Sequence, residues 1–124
     1  MPPVRIVLVE DNEVFRDALE LLLGMRDDVQ IVASVGDGAE AVAAAIEHRP
    51  DVVLMDYRLP TLDGIHATAQ VASAVPEVAV VALTASADAA EREALVEAGA
   101  ITCLTKDQEL DEIVSAILNA ASPA

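Results

Sequence analysis

The chain alternates five times between a short apolar run and a longer stretch with apolar residues at helical spacing. The short runs are apolar at consecutive positions, as in Ile6 to Val9, which is typical of strands buried on both faces of a sheet. In the first long stretch Phe15, Leu19 and Leu22 recur at the spacing of one helix face. The pattern predicts strands at 6–9, 30–35, 52–55, 78–83 and 101–104, and helices at 12–25, 39–48, 64–75, 87–98 and 108–121.

Strands and helices that alternate in this way form a parallel sheet with helices on both faces, which makes the predicted fold class α/β, doubly wound. Turn-forming and helix-ending residues stand at the predicted ends of these strands and helices. Gly36-Asp37-Gly38 separates the second strand from its helix, Pro50 ends that helix, and Gly99 closes the fourth helix as a C-cap. The second strand is followed only by this turn and by no other candidate site residue. We therefore expect the second strand to lie at an edge of the sheet.

Length and composition limit the classes of protein to consider. The 124 residues fit one domain, and a core must come from Val, Leu, Ile and Ala because only 2% of the chain is aromatic. The net charge of −15 disfavours binding to nucleic acid or anionic lipid. Cys103, the single cysteine, permits no intramolecular disulfide and no cysteine-based zinc site. With no signal-peptide pattern and no apolar stretch near ~20 residues, we expect a soluble cytoplasmic protein outside the membrane.

Polar side chains stand where the predicted strands end, the edge at which open α/β sheets bind ligands. Strand one ends at Glu10 and Asp11, strand three at Asp56, strand four at Thr84, and strand five is followed by Lys106. Crowded carboxylates repel one another unless a cation neutralises them. An all-oxygen donor set without His or Cys favours Mg²⁺ over zinc.

Charge suggests a role for each of these residues. Asp56 is the candidate nucleophile, since carboxylates can form acyl phosphates. Asp11 would hold Mg²⁺ directly and Glu10 directly or through water. Lys106 and the Thr84 hydroxyl would contact phosphoryl oxygens, because positioning and charge neutralisation dominate phosphoryl transfer.

Each residue alone also has a simpler interpretation. Asp11 or Asn12 could cap the following helix, Thr84 could be an ordinary residue at a helix N-terminus, and Lys106 could be a solvated lysine. Packing does not require all five polar residues at one edge of a sheet, and their convergence favours the chemical interpretation.

The whole chain resembles the receiver domains of two-component response regulators. The similar segments are VLVEDNEVFRDAL, DVVLMDYRLPTLDG, VVALTAS and AGAITCLTKD. The resemblance implies a CheY-like fold with strand order 2-1-3-4-5 and five helices. It makes Glu10 and Asp11 the acid pair, Asp56 the phosphoryl acceptor, Thr84 the switch hydroxyl and Lys106 the site lysine, and it adds the backbone carbonyl of Arg58 as a metal ligand.

The resemblance also implies a phosphorelay function, with Mg²⁺ as cofactor and a sensor histidine kinase as partner. Such a domain catalyses only its own phosphorylation and dephosphorylation and is not a turnover enzyme. Phosphorylation would change its conformation, with a homodimer as one outcome, and control transcription. We expect residues 1–124 to be the receiver domain, with DNA contacted only through a helix-turn-helix domain that is not in this sequence.

Two local features refine the resemblance. Phe15-Arg16 after the acid pair, and Lys106-Asp107 instead of Lys-Pro, resemble receivers of the NarL/FixJ group. Such receivers usually carry Tyr or Phe three residues before the lysine, where this chain has Cys103. The usual aromatic switch is therefore in doubt, whereas the phosphorylation chemistry is not.

Two other functions compete with this one. A metal-dependent phosphohydrolase also uses an aspartate nucleophile, but it typically carries a second aspartate two residues later as acid and base. Arg58 stands there and stays protonated. A degenerate receiver that serves only as an interaction module is the other alternative, which magnesium-dependent phosphorylation would exclude.

Overall fold

The computed structural model describes residues 2–59, 61–85 and 88–121. These residues form one parallel sheet of order β2-β1-β3-β4-β5, flanked by helices. The predicted fold class is confirmed, including the edge position of the second strand. The strands are β1 (Val4–Val9), β2 (Val29–Val35), β3 (Val52–Asp56), β4 (Ala79–Thr84) and β5 (Ala100–Thr105), and the helices are α1 (Glu13–Gly24), α2 (Gly38–His48), α3 (Gly64–Ala74), α4 (Ala89–Ala98) and α5 (Leu110–Ala121).

Most predicted limits agree with these elements within two residues, and the differences have local causes. Strand β1 begins at Val4, two residues early, because Val4 pairs with Val29 on β2. Helix α5 begins two residues late, because the side chain of Gln108 accepts a hydrogen bond from the Thr105 amide and holds a turn there. Ala87, the predicted start of the fourth helix, lies outside the described residues.

Short polar side chains cap the helices and fix where each begins. Asn12, Asp37 and Asp63 each accept a hydrogen bond from an amide in the first turn of the following helix. An oxygen at this position satisfies a backbone donor that has no partner inside the helix. Gly99 ends α4 with φ of 125°, a left-handed conformation that favours glycine, and the predicted C-cap is confirmed.

The core has two layers, one on each face of the sheet. Alternate residues of β1 point to opposite faces: Val7 and Val9 pack in the layer with α2, α3 and α4, and Ile6 and Leu8 in the layer with α1 and α5. Every residue of β3 is buried. Burial of each large apolar side chain contributes roughly 1.5–3 kcal/mol, and the central strand is therefore held firmly beneath its last residue, Asp56.

The start of α3 packs directly on the backbone that follows β3. A Cβ atom at Gly64 would lie 2.3 Å from the Asp56 carbonyl oxygen, and the Gly64 amide donates a 2.8 Å hydrogen bond to Tyr57. Only glycine allows so close an approach, and it ties the loop beyond Asp56 to the helix. Within the described part of the chain, no helix combines the length and apolar character needed to cross a membrane.

Candidate functional site

The structure brings the predicted site residues together at the carboxyl ends of the strands. Glu10 follows β1, Asp56 ends the central strand β3, Thr84 ends β4, and Lys106 follows β5 directly. Three of them, Glu10, Asp56 and Thr84, are buried, and the Asp11 side chain is exposed. The same edge therefore offers an enclosed group of charges beside one acid open to solvent.

Lys106 is the positive partner of two buried acids. Its Nζ lies 2.6 Å from Oε1 of Glu10 and donates a 3.3 Å hydrogen bond to Oδ2 of Asp56. The Phe15 ring lies under the same ammonium group, with its centroid 5.0 Å from Nζ. The lysine is thus a partly buried counterion held on three sides, which excludes the simpler interpretation of a solvated side chain.

The two buried carboxyls titrate as a pair. Burial and the neighbouring Glu10 carboxylate raise the pKa of Asp56 to about 7. Burial opposes ionisation of Glu10 too, but hydrogen bonds from Asp56, Lys106 and the Asn12 amide together hold its pKa below the ordinary value. Of the two buried acids, Asp56 is therefore the one that holds a proton more readily, and Glu10 is the one that ionises more readily.

The acids have the arrangement of a cation site. Oxygen atoms of Glu10, Asp11 and Asp56 lie within 4.8 Å of one another. Oε1 of Glu10, the oxygen paired with Nζ of Lys106, is buried. Hard oxygen donors of this kind suit a divalent cation such as Mg²⁺. A cation that neutralises the cluster would also favour ionised Asp56.

Arg58 and Tyr57 form the rim of the site. The Arg58 amide lies 3.4 Å from Oδ1 of Asp56, a long hydrogen bond. Arg58 and Asp11 line one open depression of about 450 Å³ together with Tyr57, Leu59 and Asp63. The depression gives a ligand access from solvent to the Asp11 carboxylate. The predicted role of the Arg58 carbonyl as a metal ligand stays a prediction.

The helix cap after β1 is Asn12 and not Asp11. The Asn12 side chain accepts a hydrogen bond from the Phe15 amide, and the backbone amide of Asn12 donates to Oε2 of Glu10. Asp11 makes no hydrogen bond with any described residue, and helix capping does not explain its presence. The capping interpretation therefore applies to the neighbour of the acid pair, not to the pair.

Thr84 lies at the end of a strand and faces α4. Its hydroxyl donates a long 3.5 Å hydrogen bond to Oε2 of Glu91 in the first turn of that helix. Cys103, on the adjacent strand β5, is buried, and burial raises the pKa of its thiol. Thr84 is thus a strand residue, and the interpretation as a helix N-terminal residue is wrong.

Sequence reasoning missed three contacts to these residues. Arg16 donates from Nη1 to the backbone carbonyl of Glu10 over 3.1 Å. Phe15 supports the ammonium group of Lys106, and Glu91 accepts from Thr84. Phe15 and Arg16 lie in the first turn of α1, shortly after the acid pair, and their closeness in the sequence was a signal for these two contacts. Glu91 had none, because only the packing of α4 against β4 places it there.

The family model described as the response regulator receiver domain matches residues 6–118. The transcriptional regulatory protein LnrK of Bacillus subtilis is 35% identical over 119 residues, which are 96% of this chain and 54% of LnrK. The chain thus spans about half the length of the curated relatives it matches.

Solved structures of receiver domains also resemble this chain. The receiver domain of the response regulator NarL of Mycobacterium tuberculosis matches with a TM-score of 0.93 and 34% identity, covering 98% of both chains. The receiver domain of a sensor histidine kinase of Pseudomonas aeruginosa, solved with magnesium coordinated in its active-site cleft, matches with a TM-score of 0.81 and 34% identity over 96% of this chain and 98% of its own. The match to NarL agrees with the NarL-like features of the sequence. The chain therefore belongs to the receiver domains of two-component response regulators.

Proposed function

We propose that this receiver accepts one phosphoryl group on Asp56. The observation that carries the proposal is the position of this carboxyl, buried at the end of the central strand, 3.3 Å from Lys106 and within one cluster with Glu10 and Asp11. No other acid combines a central strand end with a lysine and two further carboxylates in the described part of the chain.

The residues of the site support Mg²⁺ as the cation. Asp11 and Asp56 would bind it, with Glu10 directly or through water and the Arg58 carbonyl as a further ligand. All four groups offer oxygen, and this fits the preference of Mg²⁺. The structural relative from Pseudomonas aeruginosa holds magnesium in its active-site cleft. When bound, Mg²⁺ supplies charge neutralisation for the carboxylates and for the incoming phosphoryl oxygens.

Transfer requires the ionised form of Asp56. A carboxylate oxygen of Asp56 attacks phosphorus, a phosphorus–oxygen bond forms, and the bond to the donor group breaks, its electron pair leaving with that group. Lys106 supplies positive charge to a phosphoryl oxygen, and the Thr84 hydroxyl donates a hydrogen bond to another. The product is an acyl phosphate, which water later hydrolyses, and the reaction is phosphorylation of the protein itself.

Intact mass spectrometry tests this proposal. With Mg²⁺ and acetyl phosphate, the protein should gain the mass of one phosphoryl group and acetate should be released. Asp56→Asn, which keeps the shape of the side chain but removes the nucleophile, should gain none. Labelling that persists in this variant would show that another residue is the acceptor, and no labelling of the native chain would favour a receiver that serves only as an interaction module.

The partners follow from the family. We infer that a sensor histidine kinase donates the phosphoryl group and that the output is transcription, because LnrK and LiaR of Bacillus subtilis, to which the chain is 35% and 34% identical, are transcriptional regulatory proteins. DNA contact would need a further domain, since this chain has a net charge of −15. Sedimentation with and without beryllium fluoride, a phosphoryl mimic, tests for a phosphorylation-dependent homodimer.

A further inference from the structure

The segment between β1 and α1 is held by hydrogen bonds on both sides of Asp11. The Glu10 amide donates to the Val35 carbonyl over 3.0 Å, and Oε2 of Glu10 accepts from the Asn12 amide, also over 3.0 Å. The carbonyl of Glu10 accepts from Nη1 of Arg16 over 3.1 Å. Arg16 thus restrains the peptide unit that joins Glu10 to Asp11, from a position one turn into α1.

The Asp11 side chain has no comparable restraint of its own. It is exposed and makes no hydrogen bond with any described residue, as noted above. Its carboxylate can therefore rotate about its own side-chain torsions, and the backbone on which it stands sets the range of positions that these rotations reach. Since Glu10 is held by Val35 and by Lys106, the orientation of the next peptide unit determines whether that range includes positions facing the cluster.

The Arg16 guanidinium also has a defined place on its outer side. A Cβ atom at Gly36 would lie 2.8 Å from Nη1 of Arg16 and 3.9 Å from the Glu10 carbonyl oxygen, and apart from the chain neighbours of Gly36 no other described residue would come within 4 Å of it. The loop after β2 therefore leaves room for the guanidinium beside the end of β1. A methyl group at position 36 would push against this contact and leave the charge of the site unchanged.

We propose that Arg16 is a positioning residue for the Asp11 carboxylate and so raises the affinity of the site for a divalent cation. The inference rests on the proposed function, in which Asp11 is a ligand of that cation. By holding the Glu10–Asp11 peptide in place, Arg16 removes part of the ordering that binding would otherwise require. Partners that orient ligands from outside the coordination shell commonly strengthen a metal site in this way.

Simple electrostatics predicts the opposite effect of Arg16. A guanidinium beside an acidic cluster repels a divalent cation, so removing its charge should tighten binding if charge were its only influence. Positioning predicts weaker binding after the same substitution. The sign of the change in affinity therefore separates the two roles, and a purely structural role would lower the metal-free melting temperature without changing the affinity of the folded protein.

The experiment is isothermal titration calorimetry with MgCl₂ on four folded proteins: native, Arg16→Met, Gly36→Ala and the double variant. Loss of one hydrogen bond in Arg16→Met should raise the Kd about threefold to tenfold. Gly36→Ala should change it in the same direction, and the double variant should bind no more weakly than Arg16→Met, because the methyl group then has no guanidinium to displace. Arg92→Met, which removes a charge from the exposed surface of α4, is the matched control and should bind as the native chain does.

Each result has a distinct meaning. An equal or lower Kd in Arg16→Met overturns the proposal, as does a Gly36→Ala effect that persists undiminished in the Arg16→Met background. If the native chain itself binds no Mg²⁺, the proposed function fails instead. Gly36→Ala keeps the test decisive should Arg16→Met not fold, since an unchanged Kd in that variant would show that the contact does not influence the site.

Discussion

Lys106 Nζ lies 2.6 Å from Oε1 of Glu10. It also lies 3.3 Å from Oδ2 of Asp56, so that the only lysine of the sequence serves as the internal counterion of the two buried acids. Burial opposes the charge of Lys106, but its contacts with Glu10 and Asp56 raise its pKa above the ordinary value. The ammonium group therefore stays charged throughout the physiological range. It also occupies a position from which it repels any cation that enters the cluster.

Lys106→Met should have opposite effects on the two states of the protein. Without metal, at pH 8, the buried acids lose their counterion and the free energy of unfolding should fall by about 2 kcal/mol, below the cost of breaking a fully buried pair because Lys106 is partly exposed. With Mg²⁺, the variant should gain more stability than the native chain, since no internal cation repels the metal. Urea unfolding with EDTA or MgCl₂ measures both effects. If Mg²⁺ raises the free energy of unfolding equally in both proteins, Lys106 does not repel the bound cation.

The stability of the metal-free protein should fall as pH rises toward about 7. The folded state raises the pKa of Asp56 to about 7, well above the unfolded value, so it binds a proton that the unfolded chain releases. This contribution is fully present below the unfolded pKa and is lost as pH rises through the folded pKa. Urea midpoints in EDTA between pH 5 and 8 should show the decline, which Asp56→Asn should flatten. A native profile that rises over this range would contradict the raised pKa of Asp56.

Magnesium should stabilise the folded chain through Asp11. A ligand that binds only the folded state adds about 2.7 kcal/mol at a concentration of one hundred times its Kd. Asp11→Ala should remove most of the rise in melting temperature, because it deletes the one solvent-exposed carboxylate of the cluster. Asp17→Ala, which removes an exposed acid from α1 outside the cluster, should retain the full response. Equal shifts in the native chain and Asp11→Ala would show that Asp11 is not a ligand.

Much of the fold could be predicted because its signals are local. Continuous apolar runs such as Val52 to Met55 indicate buried parallel strands, and Gly99 indicates a helix end. The strand order came from the family resemblance and not from periodicity, which carries no information on neighbours in a sheet. The predicted starts of β1 and α5 were each two residues away from the observed ones, because those starts depend on pairing with Val29 and on the side chain of Gln108.

The convergence of the candidate site could be predicted because every strand of a parallel sheet ends at the same edge. The distribution of charge among the buried acids and Lys106 could not be predicted from the sequence. The opposite pKa shifts of Asp56 and Glu10 depend on burial and on the position of Lys106, neither of which the sequence displays. The contact from Glu91 to Thr84 depends on how α4 packs, and hydrophobic patterning does not specify it.

The response of the distal surface to phosphorylation should come from the backbone after β4 and not from Cys103. In the resembling receivers an aromatic side chain moves when the threonine hydroxyl turns toward the phosphoryl group. Cys103 is small and only 8% exposed, and it has no bulk to transfer between two positions. Thr84 can still turn, which would exchange its long hydrogen bond to Glu91 for one to the phosphoryl group. A side chain transmits a change only if its contacts differ between the two states.

Comparing structures with and without beryllium fluoride should therefore show the backbone at Ala85 and Asp88 displaced and the Cys103 rotamer unchanged. Ser86 and Ala87, which complete this loop, lie outside the described residues. Thr84→Ala is the matched control, because it removes the hydroxyl and should abolish the displacement while leaving Asp56 in place. If Cys103 changes rotamer together with Thr84, the cysteine acts as the switch and the prediction is wrong. If the loop moves equally in Thr84→Ala, the hydroxyl is not what draws it, and the coupling must start from another atom of the site.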